Sequence, residues 1–265
     1  MTQEASPVPR GLLARLRGRS WSAIAVELAI VVLGVFIGIQ VSNWNQDRIT
    51  NRQAAEFTAR LKADLSEEDW RYRFLIAYSQ EVLANANLAV GDLEGKQRLD
   101  DEALLVAAYR ATQYKEFPRR RSTYDELIST GTIGLIRDDE LRDTAIRVYN
   151  MRTFESLVQE GLRSRYREAF RMSIPNAVQR ALTRDCGDKY AGPGDFSSIA
   201  GTLDYPCKLD LPADVVAATA ATLRSNRELL PFLRLRIADL ETRIFDLRSN
   251  NKAVMESLQA ISKQP

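Results

Sequence analysis

Histidine is absent from all 265 residues. That removes the side chain whose ordinary pKa lies nearest neutrality, and with it the commonest metal ligand. Ser-His-Asp and Cys-His nucleophilic catalysis go too. Cysteine is nearly absent, with only two residues, too few for a thiolate zinc centre. Neither sign of charge is in excess, since 37 basic residues face 35 acidic ones. A chain so balanced carries no global nucleic-acid footprint. Carboxylate-only chemistry stays open, and Asp138, Asp139 and Glu140 are its nearest candidates. Three acids in a row are equally explained as negative charge at a helix N-terminus. The expectation is a protein without catalytic activity, metal or cofactor.

One stretch stands apart. From Ser22 to Ser42, "SAIAVELAIVVLGVFIGIQVS", Glu27 is the only charged residue. Twenty-one residues at about 1.5 Å each give roughly 31 Å, enough to cross a hydrocarbon core. Trp21 and Trp44 bracket it where interfacial aromatics belong. A cleaved signal peptide has a shorter apolar region and a small-residue cleavage site, which "IGIQVSNWN" does not offer. An uncleaved anchor is the reading taken here. Arg10, Arg15, Arg17 and Arg19 precede it, against Glu4 alone among acids. The positive-inside rule then places the N-terminus in the cytoplasm and the remainder outside, in the periplasm of an inner-membrane protein. Cys186 and Cys207, 21 residues apart in a Gly- and Pro-bearing stretch, fit a disulfide in an oxidising compartment. Two unpaired buried thiols are the alternative.

Within the span, Gly34 and Gly38 form a G-x-x-x-G, a spacing that lets two helices approach closely. Glu27 lies near the cytoplasmic end. Two readings fit it: contact with a partner helix, or snorkelling to the interface.

Beyond the membrane the periodicity is helical throughout. From Ala54 to Leu93 a heptad-spaced stripe runs through Thr58, Leu61, Leu65, Glu68, Tyr72, Leu75, Ser79, Val82, Ala86 and Ala89. Neither Pro nor Gly separates it from the span, so one continuous helix is expected, ending at "GDLEGK". A second helix is expected from Asp100 to about Tyr114. Thr123 and Glu126 have capping-box spacing for a short helix that Gly131 stops. Asp138 opens a helix expected to run unbroken to about Met172. Residues 185–212 read as loop. The C-terminal stretch carries apolar residues at ten of twelve a and d positions between Leu223 and Ile261, with Asn251 at an a position and Pro231 marking a kink or new start. That seam packs either inside its own chain or between chains.

The segments "ELAIVVLGVFIGIQVSNWNQDR" and "TYDELISTGTIGLIRDDELRD" resemble a family of uncharacterised bacterial single-pass inner-membrane proteins, grouped as a domain of unknown function. Its span begins with Glu and leaves the bilayer through Asn-Trp-Asn. The matching positions are Glu27, Gly34, Gln40, Asn43, Trp44 and Asn45, then Tyr124, Leu127, Gly131, Leu135, Ile136, Leu141 and Arg142. Gln46 stands where the family places an acid, and Asp47 follows it. The resemblance covers roughly residues 24–150 and implies a membrane-anchored helical protein of a Gram-negative envelope.

The expected architecture is therefore all-α. A short basic cytoplasmic tail (1–21) leads into a transmembrane helix (22–42) continuous with a long outer helix, and an extracytoplasmic antiparallel helical bundle fills 43–265. Its expected role is a membrane-anchored scaffold or protein-interaction module. The partners are the lipid bilayer and a second copy or another membrane protein, not nucleic acid. The second expectation is a sensor-like ligand-binding bundle acting through a membrane partner. For that, "KEFPRRR" offers Lys115, Arg119, Arg120 and Arg121 as an anion site.

Overall fold

The structure, a computed structural model, describes residues 21–263. The basic tail, with Arg10, Arg15, Arg17 and Arg19, lies outside the described residues. Every regular element among the described residues is helical. The first, α1, spans Trp21–Leu93, 73 residues without interruption, as the lack of Pro and Gly before Gly91 predicts apart from the two glycines in the apolar stretch. Contacts divide the chain within α1, into the residues up to Glu56 and those from Phe57 onward.

In the first unit, α1 carries one apolar window long enough to cross a membrane by length and composition. Its side chains are uncovered: Ile30 through Val41 are all exposed.

The second unit is built around the rest of α1. After it come α2 (Asp101–Arg110), α3 (Ser122–Ser129), α4 (Asp139–Asn150), α5 (Thr153–Leu162), α6 (Arg165–Ser173) and α7 (Asn176–Cys186). A loop of 26 positions, 187–212, leads to α8 (Ala213–Ser225), α9 (Leu229–Phe245), a π-helical turn at Asp246–Asn250 and α10 (Lys252–Ser262). Leu61, Leu65, Glu68, Tyr72, Leu75, Ser79, Val82, Ala86 and Ala89 of the heptad stripe are all buried. So, however, are Trp70, Phe74 and Tyr78 on another face. Between Asp64 and Val82, α1 is the centre of the unit and not its edge.

Three apolar clusters share that helix. Leu61 to Ile76 pack with Tyr124, Leu127, Leu141, Val148, Leu258 and Ile261. Ala86 and Ala89 join Leu104, Tyr166, Phe170, Leu182 and Leu223. Between them, Trp70, Phe74, Tyr78 and Val82 meet Ala191, Leu203 and Leu240. Trp70 stacks on Phe74 at 5.2 Å and Phe74 on Tyr78 at 5.6 Å, while Phe117 sets its edge against both Trp70 and Phe74. Such aromatic pairs add to the area they bury.

Helix ends follow local chemistry in places. Asp100 caps α2 by accepting from Ala103 N at 2.7 Å, and Asp138 caps α4 by accepting from Leu141 N at 3.1 Å. Pro231 is the third residue of α9, inside the first turn, where a missing N–H breaks no bond. Three expectations need correction. Thr123 does not form a capping box: α3 begins one residue earlier, and Thr123 is buried. The second helix stops at Arg110, four residues short of Tyr114. The helix from Asp138 to Met172 is three helices. Its first break, at Met151 and Arg152, carries no Gly or Pro; the turn lets Met151 and Leu157 both reach the Tyr72 cluster, so packing overrides propensity. Its second follows Gly161, where an added Cβ would sit 2.3 Å from that of Tyr114, and Ser164 then caps α6.

The C-terminal seam closes inside its own chain. Leu233, Leu240, Leu247, Leu258 and Ile261 are buried against the clusters above. The Asn251 side chain donates to Asp246 O at 2.9 Å and closes the π turn. Gly131 ends α3 with φ at 69°, a left-handed conformation that costs an L-residue about 1–2 kcal/mol. Gly131→Ala accordingly lowers the melting temperature by about 2–5 °C, measured by circular dichroism of the full chain in detergent.

Candidate functional site

The α1 segment "DLSEEDWRYR" (64–73) holds four acids and two arginines, yet it runs through the middle of the second unit. Glu68 has no exposed surface and Arg71 keeps 2%. Arg71 Nη1 donates to Glu68 Oε1, and Arg119 Nη2 reaches Glu68 Oε2 at 3.3 Å. One buried carboxylate thus holds two guanidiniums. Each guanidinium also ties down backbone: Arg71 Nη2 donates to Pro118 O at 2.5 Å, and Arg119 Nη2 to Val148 O at 2.8 Å. Arg119 lies 5.4 Å from the Tyr149 ring centre, and the Tyr149 hydroxyl donates to Arg120 O at 2.8 Å. Burial, with the charges of Glu68 and Asp64, drives the Tyr149 hydroxyl far above its ordinary range, so it stays a neutral donor. One residue on, Asp69 accepts from Arg73 and from Ser262 Oγ at 2.9 Å, which fastens α10. Asp64 is buried beside them, with Oδ2 lacking a hydrogen-bond partner.

This arrangement decides what "KEFPRRR" does. Lys115 pairs with Asp188 at 3.1 Å, Arg119 with Glu68, Arg120 with Glu67 at 3.0 Å and Arg121 with Asp125 at 2.9 Å. Every basic group of the segment is already matched by a carboxylate of this chain. The geometry is that of a strap buckled onto α1. Of its charges, only the basic half stands out as a run in the sequence. The signal for the other half was present: Glu68 occupies a position of the apolar stripe, where a charge has to be paired.

The 187–212 loop is fastened with similar care. Cys186 and Cys207 are disulfide-bonded, with Cα atoms 5.4 Å apart. Trp70 Nε1 donates to Asp195 O at 2.7 Å, and the Tyr78 hydroxyl to Asp188 Oδ1 at 2.8 Å. The Glu81 carboxylate accepts from the N–H groups of Gly201, Leu203 and Asp204. Positions 70, 74, 78 and 81 lie on one face of α1, so a single helical stripe receives the loop from Asp188 to Asp204, while Arg110 and Glu102 of α2 hold Tyr205 O and Leu209 N beyond it.

In the first unit, Asn43, Trp44 and Asn45 remain helical and exposed, neither capping nor breaking α1. Trp44 carries the Arg48 guanidinium 5.1 Å from its ring centre, a polar residue one turn beyond an amphipathic ring. Trp21 is 88% exposed. Gly34 and Gly38, one turn apart, have nothing within 4 Å of where a Cβ would stand, and Glu27 is exposed on the same stretch. Asp138, Asp139 and Glu140 are accounted for by the α4 N-terminus, with Asp139 bound to Arg142 at 2.6 Å. Among the described residues no group of three acidic or cysteine side chains is placed to hold a metal ion.

A model of the Family of unknown function (DUF6090) matches residues 27–168, more than half of the chain. The protein belongs to that family. The DUF6090 match takes in Asn43-Trp44-Asn45, the Glu68 cluster and its strap, and it stops before the disulfide loop. No curated protein and no solved structure matches the chain.

Proposed function

We propose that this protein is a membrane-anchored helical interaction module that works by binding and not by catalysis. Its span packs against a second transmembrane helix in the inner membrane, from another copy or another membrane protein, and the second unit forms a helical bundle on the periplasmic side. One observation carries the reading. The helix that supplies the buried core of the second unit also bears an uncovered apolar stretch with Gly34 and Gly38 bare on it. Small residues at that spacing suit close helix packing in lipid. The arginine-rich N-terminal flank supports the orientation, and the Cys186–Cys207 disulfide supports an oxidising compartment. Trp44 and Arg48 support an interface at the outer end, where they set the height at which the chain leaves the bilayer.

The test is crosslinking in cells, followed by purification in detergent and mass spectrometry of what stays attached. Wild type retains a specific partner band. Gly34→Leu/Gly38→Leu loses at least about tenfold of it, the coupling expected of one to two kilocalories of helix contact. Retention of the band unchanged in that variant removes the span from the interface.

A further inference from the structure

A second feature lies wholly outside the strap and the loop. Between the end of α2 and the two helices α6 and α7 there is an open groove of about 570 Å³, within the range of small-molecule sites. Four arginines line it, Arg167, Arg171, Arg180 and Arg184, and no carboxylate does. Arg184 is matched by Asp185 at 2.6 Å. Among the described residues no ion pair accompanies the other three. The strap differs, since its basic groups all find acids; what sets the groove apart is that three such arginines converge on one cavity. Arg167 and Arg171 are four apart on α6 and so share a face; Arg180 reaches the groove from α7, across the Ile174–Pro175 corner. That corner is fixed, because Gln179 Nε2 donates back to Arg171 O at 2.8 Å and to Ile174 O at 3.2 Å.

Arg167 is the half-buried member. Its Nη1 donates to Thr112 O at 3.1 Å and its guanidinium rests 4.9 Å from the Tyr114 ring centre. Burial, and then the like charge of Arg171, hold its pKa below the ordinary arginine value. Arginine remains protonated under such a shift, so the groove keeps three like charges together at a cost in stability. A planar fork of donors pre-set on an aromatic ring recognises oxygen anions in two-point fashion.

We infer that the groove between α2, α6 and α7 binds a multivalent phosphate group, with Arg167 positioned as the inner contact and Arg171 and Arg180 closing on it from two helices. The phosphate belongs either to a small soluble molecule or to a lipid headgroup. The inference does not rest on the interaction reading above, and loss of the Gly34–Gly38 contact leaves it standing.

The test measures the melting temperature of the full chain in non-ionic detergent with inorganic pyrophosphate, with dihexanoyl phosphatidic acid, whose phosphomonoester is also multivalent, and with sodium chloride at matched ionic strength. At tenfold excess over the dissociation constant, binding raises the melting temperature by about 3–5 °C above the salt control. Arg171→Gln/Arg180→Gln abolishes the rise, while Arg98→Gln/Arg227→Gln, which removes as much charge elsewhere, retains it. Both groove arginines are exposed, so the variant folds, and without ligand it melts no lower than wild type because a like-charge contact with Arg167 is gone. The probe with the larger rise assigns the source. No rise above salt with either probe, or a rise that survives Arg171→Gln/Arg180→Gln, overturns the inference.

Discussion

Glu68→Gln lowers the melting temperature of the full-length protein by about 6–20 °C. The substitution keeps the shape of the side chain and removes its charge, so Arg71 and Arg119 face a neutral amide instead of a shared carboxylate. Both guanidiniums are almost fully buried, at 2% and 11% exposure. Removing one partner of a buried ion pair typically costs about 3–5 kcal/mol, since it leaves uncompensated charge in a medium that solvates it poorly. At about 2–4 °C per kcal/mol for a domain of this size, the shift is large. Glu126→Gln is the internal control. It pairs with Arg60 at 2.8 Å, both side chains are exposed, at 45% and 41%, and surface pairs are worth about 0–1 kcal/mol. Replacing Glu68, Arg71 and Arg119 together by Leu, Leu and Met costs far less than Glu68→Gln alone, because the charges leave in step. Equal melting temperatures for wild type and Glu68→Gln would mean that water reaches the cluster and that the strap is held by its backbone bonds instead.

The same cluster shows what a sequence does and does not disclose. The stripe from Leu61 to Ala89 and the seam from Leu223 to Ile261 are legible because burial of a helix face imposes a period on the residues themselves. Glu68 and Arg119 are 51 residues apart. Nothing local in either segment couples them, so a buried carboxylate looks like a flaw in one stripe and its partner like a free basic run. The Trp70-Phe74-Tyr78 ladder has perfect helical spacing, yet the heptad stripe passes it by. A second apolar face becomes visible only when one stops assuming that a helix has one buried side. The break at Met151–Arg152 has no signal at all: its residues tolerate a helix, and the turn exists because it lets Met151 and Leu157 both reach the Tyr72 cluster. Gly131 and Asp138 are the opposite case, where backbone conformation and a cap dictate the residue type and a single letter suffices.

Opening the disulfide gives the second large effect, and its character distinguishes two roles for the bond. The chain-entropy model assigns about 3 kcal/mol to a crosslink closing a loop of this length, so Cys186→Ser/Cys207→Ser melts about 6–12 °C lower. That stabilisation acts on the unfolded chain. It leaves the folded loop held by Trp70 to Asp195, by the three N–H groups on Glu81, and by the Tyr205 hydroxyl on Gly187 O at 2.5 Å. A loop so anchored stays on α1 without its crosslink at 25 °C. Trp70 reports this directly once Trp21 and Trp44 are replaced by phenylalanine, since it is then the only tryptophan and is fully buried against the loop. Its emission therefore stays blue-shifted in the Cys186→Ser/Cys207→Ser background, while the melting temperature falls. A red shift at 25 °C would show instead that the bond holds the loop in place, with the α1 contacts too weak to seat it unaided. The two outcomes separate a crosslink that limits the unfolded state from one that builds the native surface. The first follows from the number of bonds that α1 makes to the loop's backbone: a carboxylate accepting three N–H groups is a charge-assisted cradle, and reduction of a distant sulfur bond removes none of its donors.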